Sequence, residues 1–370
     1  MTLTPQLEII LIASAVAVAC AIPGVFLVLR QMSMMSDAIS HAILLGIVLA
    51  FFYVKNLSSP FLLIGAAATG VVTVTLTELI FHTKKVKEDA SIGLVFPFLF
   101  SIAILLINLF AGQVHIDTDA VLLGELAFAP FNRLVFWGIN LPHALWLIGA
   151  ILMVNLIFVA LFYKELKLAT FDPGLAGVLG FSPIFIHYML MIMVSITAVG
   201  SFDAVGAVLV VALMITPPAT AYLLTNSLSR MLVLSGFFGI LSALAGYGVA
   251  HWFDASIAGS MAAMSGLLFL VVLFVAPHRG LVVQLLRHRR QKMQFAVEML
   301  LVHLLHHEQT AIEKRENTFS DVKRHMKWSD IFRSRVIASA VQKNLVTFSN
   351  DRLFLTAAGR RAAVVVMRRT

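Results

Sequence analysis

A single cysteine, Cys20, stands among 370 residues, which excludes an intrachain disulfide framework and any cluster of thiolates. Charge is scarce too. Asp, Glu, Lys and Arg make up 12% of the chain against 60% hydrophobic residues, and mean hydropathy is +0.94. A soluble domain carries roughly twice that charged fraction. No Gly-x-x-x-x-Gly-Lys-Ser/Thr run occurs, so the chain has no P-loop and any ATP hydrolysis must come from another polypeptide. The amino terminus lacks the basic region of a secretory signal, so its apolar run reads as a retained span. Alternating apolar segments, the mark of transmembrane strands, are also missing.

What remains is a polytopic α-helical membrane protein. Apolar runs long enough for a ~30 Å hydrocarbon core lie near Glu8–Leu29, Met32–Val54, Pro60–Phe81, Ser91–Ala111, Pro142–Tyr163, Pro183–Gly200, Val205–Leu224, Met231–His251 and Ile257–Ala276. The pair either side of Gly200 also fits a re-entrant hairpin, which leaves eight or nine spans. Nine spans place the termini on opposite sides. Arg30, Lys84, Lys85, Lys87, Lys164, Lys167, Arg230 and Arg279 then share one face, while Lys55 and Arg133 lie on the other with Asp117, Asp119, Glu125, Asp203 and Asp254. Positive residues mark the cytoplasmic side, so the amino terminus is expected outside and the carboxyl terminus inside. Small residues and prolines within spans, as at Pro217-Pro218 and Gly236–Gly248, permit close packing or a broken helix.

Charge is also divided along the chain. From His278 to Thr370 there are 18 Lys and Arg against 7 Asp and Glu, a net of +11. The first 277 residues hold 9 against 12, a net of −3, and the two parts give the overall +8. The division predicts a membrane domain over 1–280 and a separate basic cytoplasmic domain over 281–370.

Asp37 and His41 interrupt the second run. Ionisable groups are expensive in a lipid-spanning helix and usually face the protein interior for a purpose. A spacing of four puts both on one face, one turn apart. A carboxylate and an imidazole so placed form the first half of a site for a divalent transition metal. Asp37 falls roughly 8 Å into the span at the helical rise, with His41 nearer the midplane. Glu78, near the end of its span, is a weaker candidate that reads as a carboxylate reaching for the interface.

Between the fifth and sixth runs, Phe171-Asp172-Pro173-Gly174-Leu175-Ala176 leads to Gly180. Asp172 is a good N-cap, Pro173 suits the first helical position, and Gly180 suits a helix end. The outcome is a two-turn helix of small residues on the cytoplasmic face, shaped for another protein's groove.

Together these residues resemble the permease subunit of the manganese/zinc/iron class of ABC importers. The resemblance is carried by the run Arg30–Ala42 with its Ser36-Asp37-Ala38-Ile39-Ser40-His41 core, by Phe171-Asp172-Pro173 with Gly180, by Val205–Ala221 with Thr216-Pro217-Pro218, and by Ala276-Pro277-His278-Arg279-Gly280. It implies an all-α fold of the ABC importer permease type and a pore metal site at Asp37 and His41. It also implies a coupling helix, Asp172, Pro173, Gly174, Ala176 and Gly180, that docks on a cytoplasmic ATPase dimer. An extracytoplasmic metal-binding protein and a second permease, copy or paralogue, are the other implied partners. The chain is then a transporter subunit of the bacterial inner or plasma membrane and not an enzyme. It has no permanently bound cofactor, and Mn, Zn or Fe is its cargo.

The tail follows a different pattern. Lys292–His307 is amphipathic, Ser329 opens a second helix, Leu345–Phe348 and Arg352–Leu355 flank Ser349-Asn350-Asp351 as a hairpin, and Thr356 caps a last helix. The order, with Leu-Thr-x-x-Gly at Leu355–Gly359, resembles the winged-helix domain of metal-dependent repressors. Arg333, Arg335, Lys343 and Arg352 suit DNA phosphates, and equally an anionic lipid surface or the ATPase. His303, His306, His307 and Glu308 have the spacing of a regulatory metal site on one helix face. Two other functions fit some of these features: an ion-coupled secondary metal transporter, which needs coupling carboxylates at the midplane, and a membrane-tethered metal-responsive regulator.

Overall fold

The computed structural model describes residues 4–55, 59–110, 126–136, 139–277, 279–308, 317–318, 326, 328–349 and 352–368. Asp117, Asp119, Glu125, His278, Asn350 and Asp351 lie outside the described residues, as does the side chain of Asp203. The chain separates into two compact units, Met1–Gly280 and Leu281–Thr370.

In the first unit the apolar runs become α1 (Pro5–Leu29), α2 (Ser33–Val54), α3 (Pro60–His82), α4 (Glu88–Phe110), α5 (His143–Leu161), α8 (Pro183–Leu224), α9 (Leu228–Phe253) and α10 (Ile257–Val275). Two short helices, α6 (Tyr163–Phe171) and α7 (Pro173–Val178), connect α5 to α8. By length and composition the described residues hold nine candidate spans, because α8 supplies two, Pro183–Phe202 and Ala204–Leu224.

The backbone of α8 leaves the helical region at Gly206, with φ 77 and ψ 164. Only glycine adopts such a backbone cheaply. Ile186 and Leu190 from before the break and Ala221 from after it share one core with Val25 and Phe26 of α1. The two halves therefore run side by side in opposite directions, and the chain reverses at Gly206. The alternative of a span pair meeting at Gly200 is resolved into a tight turn a few residues later. At the foot of the same face, Arg279 donates to the Tyr222 carbonyl at 3.0 Å and to Asn226 Oδ1 at 2.8 Å. Those bonds tie the exits of α8 and α10 together.

α1 lies at the centre, lined on most sides by buried residues from Ile9 to Leu27. Close approach is set by small residues. A Cβ on Gly24 would strike the Met214 backbone, and Gly46 of α2 faces Gly65 of α3 across equally little room. Lipid gives helices no hydrophobic reason to associate, so this contact and internal hydrogen bonds hold the bundle. On the face opposite Arg30, fully buried Glu8 is held by both terminal nitrogens of Arg133, each at 3.1 Å. Arg133 opens a hairpin of β1 (Arg133–Phe136) and β2 (Ile139–Pro142), paired antiparallel with Arg133 opposite Pro142.

The second unit contains α11 (Leu281–His307), α12 (Asp330–Gln342), the antiparallel hairpin β3 (Val346–Ser349) with β4 (Arg352–Leu355), and α13 (Ala357–Met367). α11 begins eleven residues before the Lys292 expected from periodicity: Leu281, Val282, Leu285 and Leu286 open it on exposed turns, and the basic run Arg287–Lys292 separates them from the stripe that packs. Ala296, Val297, Leu300, Leu301 and Leu304 pack against Val336, Ile337, Ala340, Val346, Leu353 and Ala363. Arg333 does not face outward as a phosphate-contacting residue. It is 6% exposed and pairs with Asp330 at 3.0 Å, so it pins the start of α12. Arg335 and Lys343 are exposed.

Leu-Thr-x-x-Gly is explained by geometry. Thr356 accepts from the Gly359 amide at 3.0 Å and donates to the Asn344 carbonyl at 2.7 Å. A Cβ on Gly359 would collide with the Leu345 carbonyl. Gly359→Ala should therefore destabilise the second unit by about 1–3 kcal/mol, as overpacking does. Trypsin digestion of the full-length protein should show faster cleavage within 281–370 and an unchanged first unit. Equal cleavage rates would show that this contact is not tight.

Candidate functional site

α2 starts directly after the Arg30–Met32 turn, where Gln31 takes φ 61. Its first turns carry Ser36, Asp37, Ser40 and His41. Ser36 is buried and donates to Met214 Sδ at 3.1 Å, and Ser40 donates back to the Ser36 carbonyl at 2.8 Å. These bonds turn the serines into the bundle and fix the rotation of α2. Asp37 and His41 are thereby left together on a half-open face, 38% and 35% exposed, with Nε2 of His41 3.5 Å from Oδ1 of Asp37. The imidazole is held by α4, where Phe96 stacks on it at 5.7 Å and Phe100 meets it edge-on at 6.1 Å. Two aromatic walls orient the ring and keep water from one side of it.

Among the described residues, no group of three or more His, Cys, Asp or Glu is arranged to hold a metal ion. Asp37 and His41 thus offer one oxygen donor and one nitrogen donor, half of a tetrahedral first-row site. Their half-open face is where further donors can approach.

Glu78 is not a carboxylate reaching for the interface. His187 Nε2 lies 2.6 Å from its Oε1, and the Tyr188 hydroxyl donates to its Oε2 at 2.6 Å. Both oxygens are engaged, so Glu78 belongs to an internal network and is not brought to Asp37 and His41 as a ligand. Sequence carried no sign of this, since its partners lie far along the chain on α8. Arg30 joins the same network, with Nη1 3.2 Å from His187 Nδ1 and Nε donating to Thr170 Oγ1 at 3.2 Å.

The short helix α7 forms as its residues dictate. Asp172 caps α7 by accepting from the Leu175 amide at 2.9 Å, and Pro173 occupies the first turn. Gly180 ends the segment with φ 87, while the Phe181 amide returns to the Ala176 carbonyl at 3.0 Å. Ala176 is buried against the bundle, whereas Leu175, Val178 and Leu179 are exposed, Val178 at 85%. Leu175, Val178 and Leu179 leave a row of exposed aliphatic side chains on a short capped helix.

In the tail, the rings of His303, His306 and His307 meet edge to face, at 4.7 Å for the first and last and 5.2 Å for the neighbouring pair. Glu308 does not join them: its carboxylate grips Arg360 of α13 in a bidentate pair. That partner holds the Arg360 guanidinium above its ordinary pKa.

Comparison with known proteins bears on the first unit above all. The profile of the ABC 3 transport family matches residues 6–276. The chain is 48% identical over 353 residues to the zinc transport system membrane protein TroD of Treponema pallidum, covering 95% of this chain and 96% of that protein. It is 46% identical over 273 residues to the manganese transport system membrane protein MntD of Bacillus subtilis, covering 74% and 92%. In structure it is similar to a chain of PsaBC from Streptococcus pneumoniae, solved with a Fab, at TM-score 0.63 and 29% identity, covering 75% of this chain and 94% of that one.

Removing the α7 cap tests the local geometry. Asp172→Ala should cost the segment about 1 kcal/mol. Amide exchange at Leu175 should then accelerate by roughly fivefold through local opening. No change at that amide would show that the Asp172 carboxylate does not hold the helix.

Proposed function

The chain belongs to the ABC 3 transport family, and on that premise we propose that it is the membrane-spanning subunit of an ATP-driven importer of a divalent transition metal, manganese, zinc or iron. The observation that carries the metal assignment is the Asp37/His41 pair, an acid and an imidazole 3.5 Å apart on a half-open face of one span. Carboxylate oxygen and imidazole nitrogen bind all three metals, and ligand type alone does not select among them. The ion passes this pair as the bundle alternates its access, and a second permease, copy or paralogue, supplies donors across the open face.

The remaining partners follow from the same reading. A cytoplasmic ATPase dimer docks on α7 through Leu175, Val178 and Leu179, and hydrolyses ATP in place of a chain that has no P-loop. An extracytoplasmic metal-binding protein delivers the ion to the opposite face. The membrane is the bacterial inner or plasma membrane. Arg30, Lys84, Lys164 and Arg279 lie at span ends that share one face, which supports an external amino terminus and a cytoplasmic carboxyl terminus.

Ion-coupled secondary transport is disfavoured by the carboxylates within the spans. Glu8 is paired with Arg133, and both oxygens of Glu78 are occupied by His187 and Tyr188, so neither is available to carry a coupling ion.

The tail is an accessory regulatory domain in this reading. MntD aligns over 92% of its own length while matching 74% of this chain, so a transport protein of the family reaches its full size without an equivalent of the tail. The His303, His306 and His307 face and the basic residues Arg335, Lys343 and Arg352 are then regulatory surfaces, for the ATPase or lipid before DNA. Because α11 begins at Leu281, a clean deletion removes 281–370. Cells producing that truncated chain with its partners should still accumulate metal, with altered abundance or feedback. A chain that inserts normally and transports nothing would make the tail part of the working machine.

The site itself is tested by isotope uptake, comparing Mn, Zn and Fe in cells with the complete transporter. Even outer partners of a metal ligand are worth about 10–100-fold in affinity, so Asp37→Asn and His41→Ala should each reduce uptake by at least about tenfold while the ATPase still copurifies. Wild-type uptake in both variants at equal abundance would remove the assignment.

A further inference from the structure

Two regions with separate cores must move together if ATP hydrolysis at α7 is to rearrange Asp37 and His41. In one, Leu166 and Ala169 of α6 pack with Val25 and Phe26 of α1 and Ile186 and Leu190 of α8. In the other, Ala42 and Leu45 of α2 pack with Val95, Leu99 and Ala103 of α4. A polar chain runs between them at the end of the bundle that carries α7. Arg30 donates from Nε to Thr170 at 3.2 Å, and its Nη1 faces His187 Nδ1 at 3.2 Å. His187 then meets Glu78 of α3 at 2.6 Å, and Tyr188 closes on the other Glu78 oxygen at 2.6 Å.

The chemistry of this chain has one consistent direction. A guanidinium has only donors, so Nδ1 of His187 must accept and its proton sits on Nε2, the nitrogen 2.6 Å from a Glu78 oxygen. Thr170 accepts at one end and Glu78 at the other, with Arg30 between them. Thr170 lies just before Asp172, the cap of α7, and Arg30 lies just before α2 in a turn strained at Gln31. The guanidinium is substantially buried, and desolvation pulls it down to about 10, still cationic at neutral pH. Its charge therefore depends on these partners. One donor is left over: Nη2 is buried and has no hydrogen-bond partner among the described residues. An unspent donor on a buried charge is what a joint with a second arrangement requires.

We propose that Arg30 is the positioning residue that transmits movement of the α6–α7 segment to α2, converting ATP turnover at the docking helix into rearrangement at Asp37 and His41. The inference rests on the reading of α7 as the ATPase-docking helix and of Asp37 with His41 as the metal site. Arg30 touches neither metal nor nucleotide. It acts through its simultaneous hold on Thr170 and His187.

The complete transporter with its ATPase and binding protein, reconstituted in vesicles, gives metal uptake and ATP hydrolysis in one experiment. Arg30→Lys keeps the charge but concentrates it at one nitrogen that cannot span both partners. It should keep the ATPase bound and hydrolysing while metal moved per ATP falls by about tenfold, within the usual range of coupling between sites. Thr170→Val removes the acceptor at nearly constant volume and should lower the same ratio several-fold. The double variant should be no worse than Arg30→Lys alone, because both break one connection. An unchanged ratio in Thr170→Val with Arg30→Lys, or losses that multiply in the double variant, would overturn the proposal. So would loss of the bound ATPase in both, which would make these residues part of the docking surface. If Arg30→Lys does not insert, Thr170→Val decides alone. Failure of the metal-site reading shows separately, as uptake that survives Asp37→Asn.

Discussion

Hydrocarbon offers a polar group no water, so every donor and acceptor in the spans must find a partner inside the protein. This constraint organises the first unit. The threonines of α3 repay their hydroxyls locally, Thr69 to the Gly65 carbonyl at 3.0 Å, Thr73 to Thr69 and Thr77 to Thr73 at 2.8 Å. Asn155 bridges helices by donating to the Ala19 carbonyl and to Thr197. Carboxylates are matched by cations or donors from distant segments, Glu8 by Arg133 and Glu78 by His187 with Tyr188. Against that background, Asp37 and His41 stand out because they have each other at 3.5 Å and an open side.

The same rule explains why the long helix α8 can break where it does. A reversal in lipid exposes backbone groups, and it is tolerated where protein surrounds it. Val205 and Leu209 near the turn belong to the central core with Ile12, Ala13 and Val16 of α1. Gly206 supplies the required φ, and the turn lets both arms lie against α1. Spans six and seven thus hold the central helix on the side where Ser36 also bonds Met214. α2 and the arm after the reversal are consequently linked by a buried contact as well as by packing.

Much of this was legible in the sequence because it depends on local pattern. Apolar length gave the spans, Asp172-Pro173 gave the start of α7, and Thr356 with Gly359 gave the last helix of the tail. The Asp37/His41 pair was visible because its spacing alone puts both side chains on one helix face. What stayed hidden depends on contacts distant in sequence. Glu78 near a span end looks like a group seeking the interface, and only the fold brings His187 and Tyr188 to it. Arg333 on an amphipathic helix looks like an outward cation, yet the core of the second unit closes over it. The apolar opening of α11 is cut off by the basic run Arg287–Lys292, so periodicity located only the part that packs. Glu308 shares a helical spacing with three histidines, but spacing says nothing of Arg360, which claims its carboxylate.

On the proposed reading of Asp37 and His41 as the metal site, a pair of donors from one chain has a physical advantage. A site with four donors on one rigid chain would hold its ion as structural zinc sites do, with a closed shell. Transport asks for the opposite balance, binding strong enough to admit the ion and weak enough to release it. Two donors on one helix face, with the imidazole steadied by Phe96 and Phe100 and the remaining coordination supplied by partners outside this chain as proposed, satisfy both demands. When α2 shifts relative to those partners, the first shell comes apart without any bond within this chain having to break. Arg30, at the base of α2 and tied to the segment that carries α7, is placed where such a shift is most economically driven.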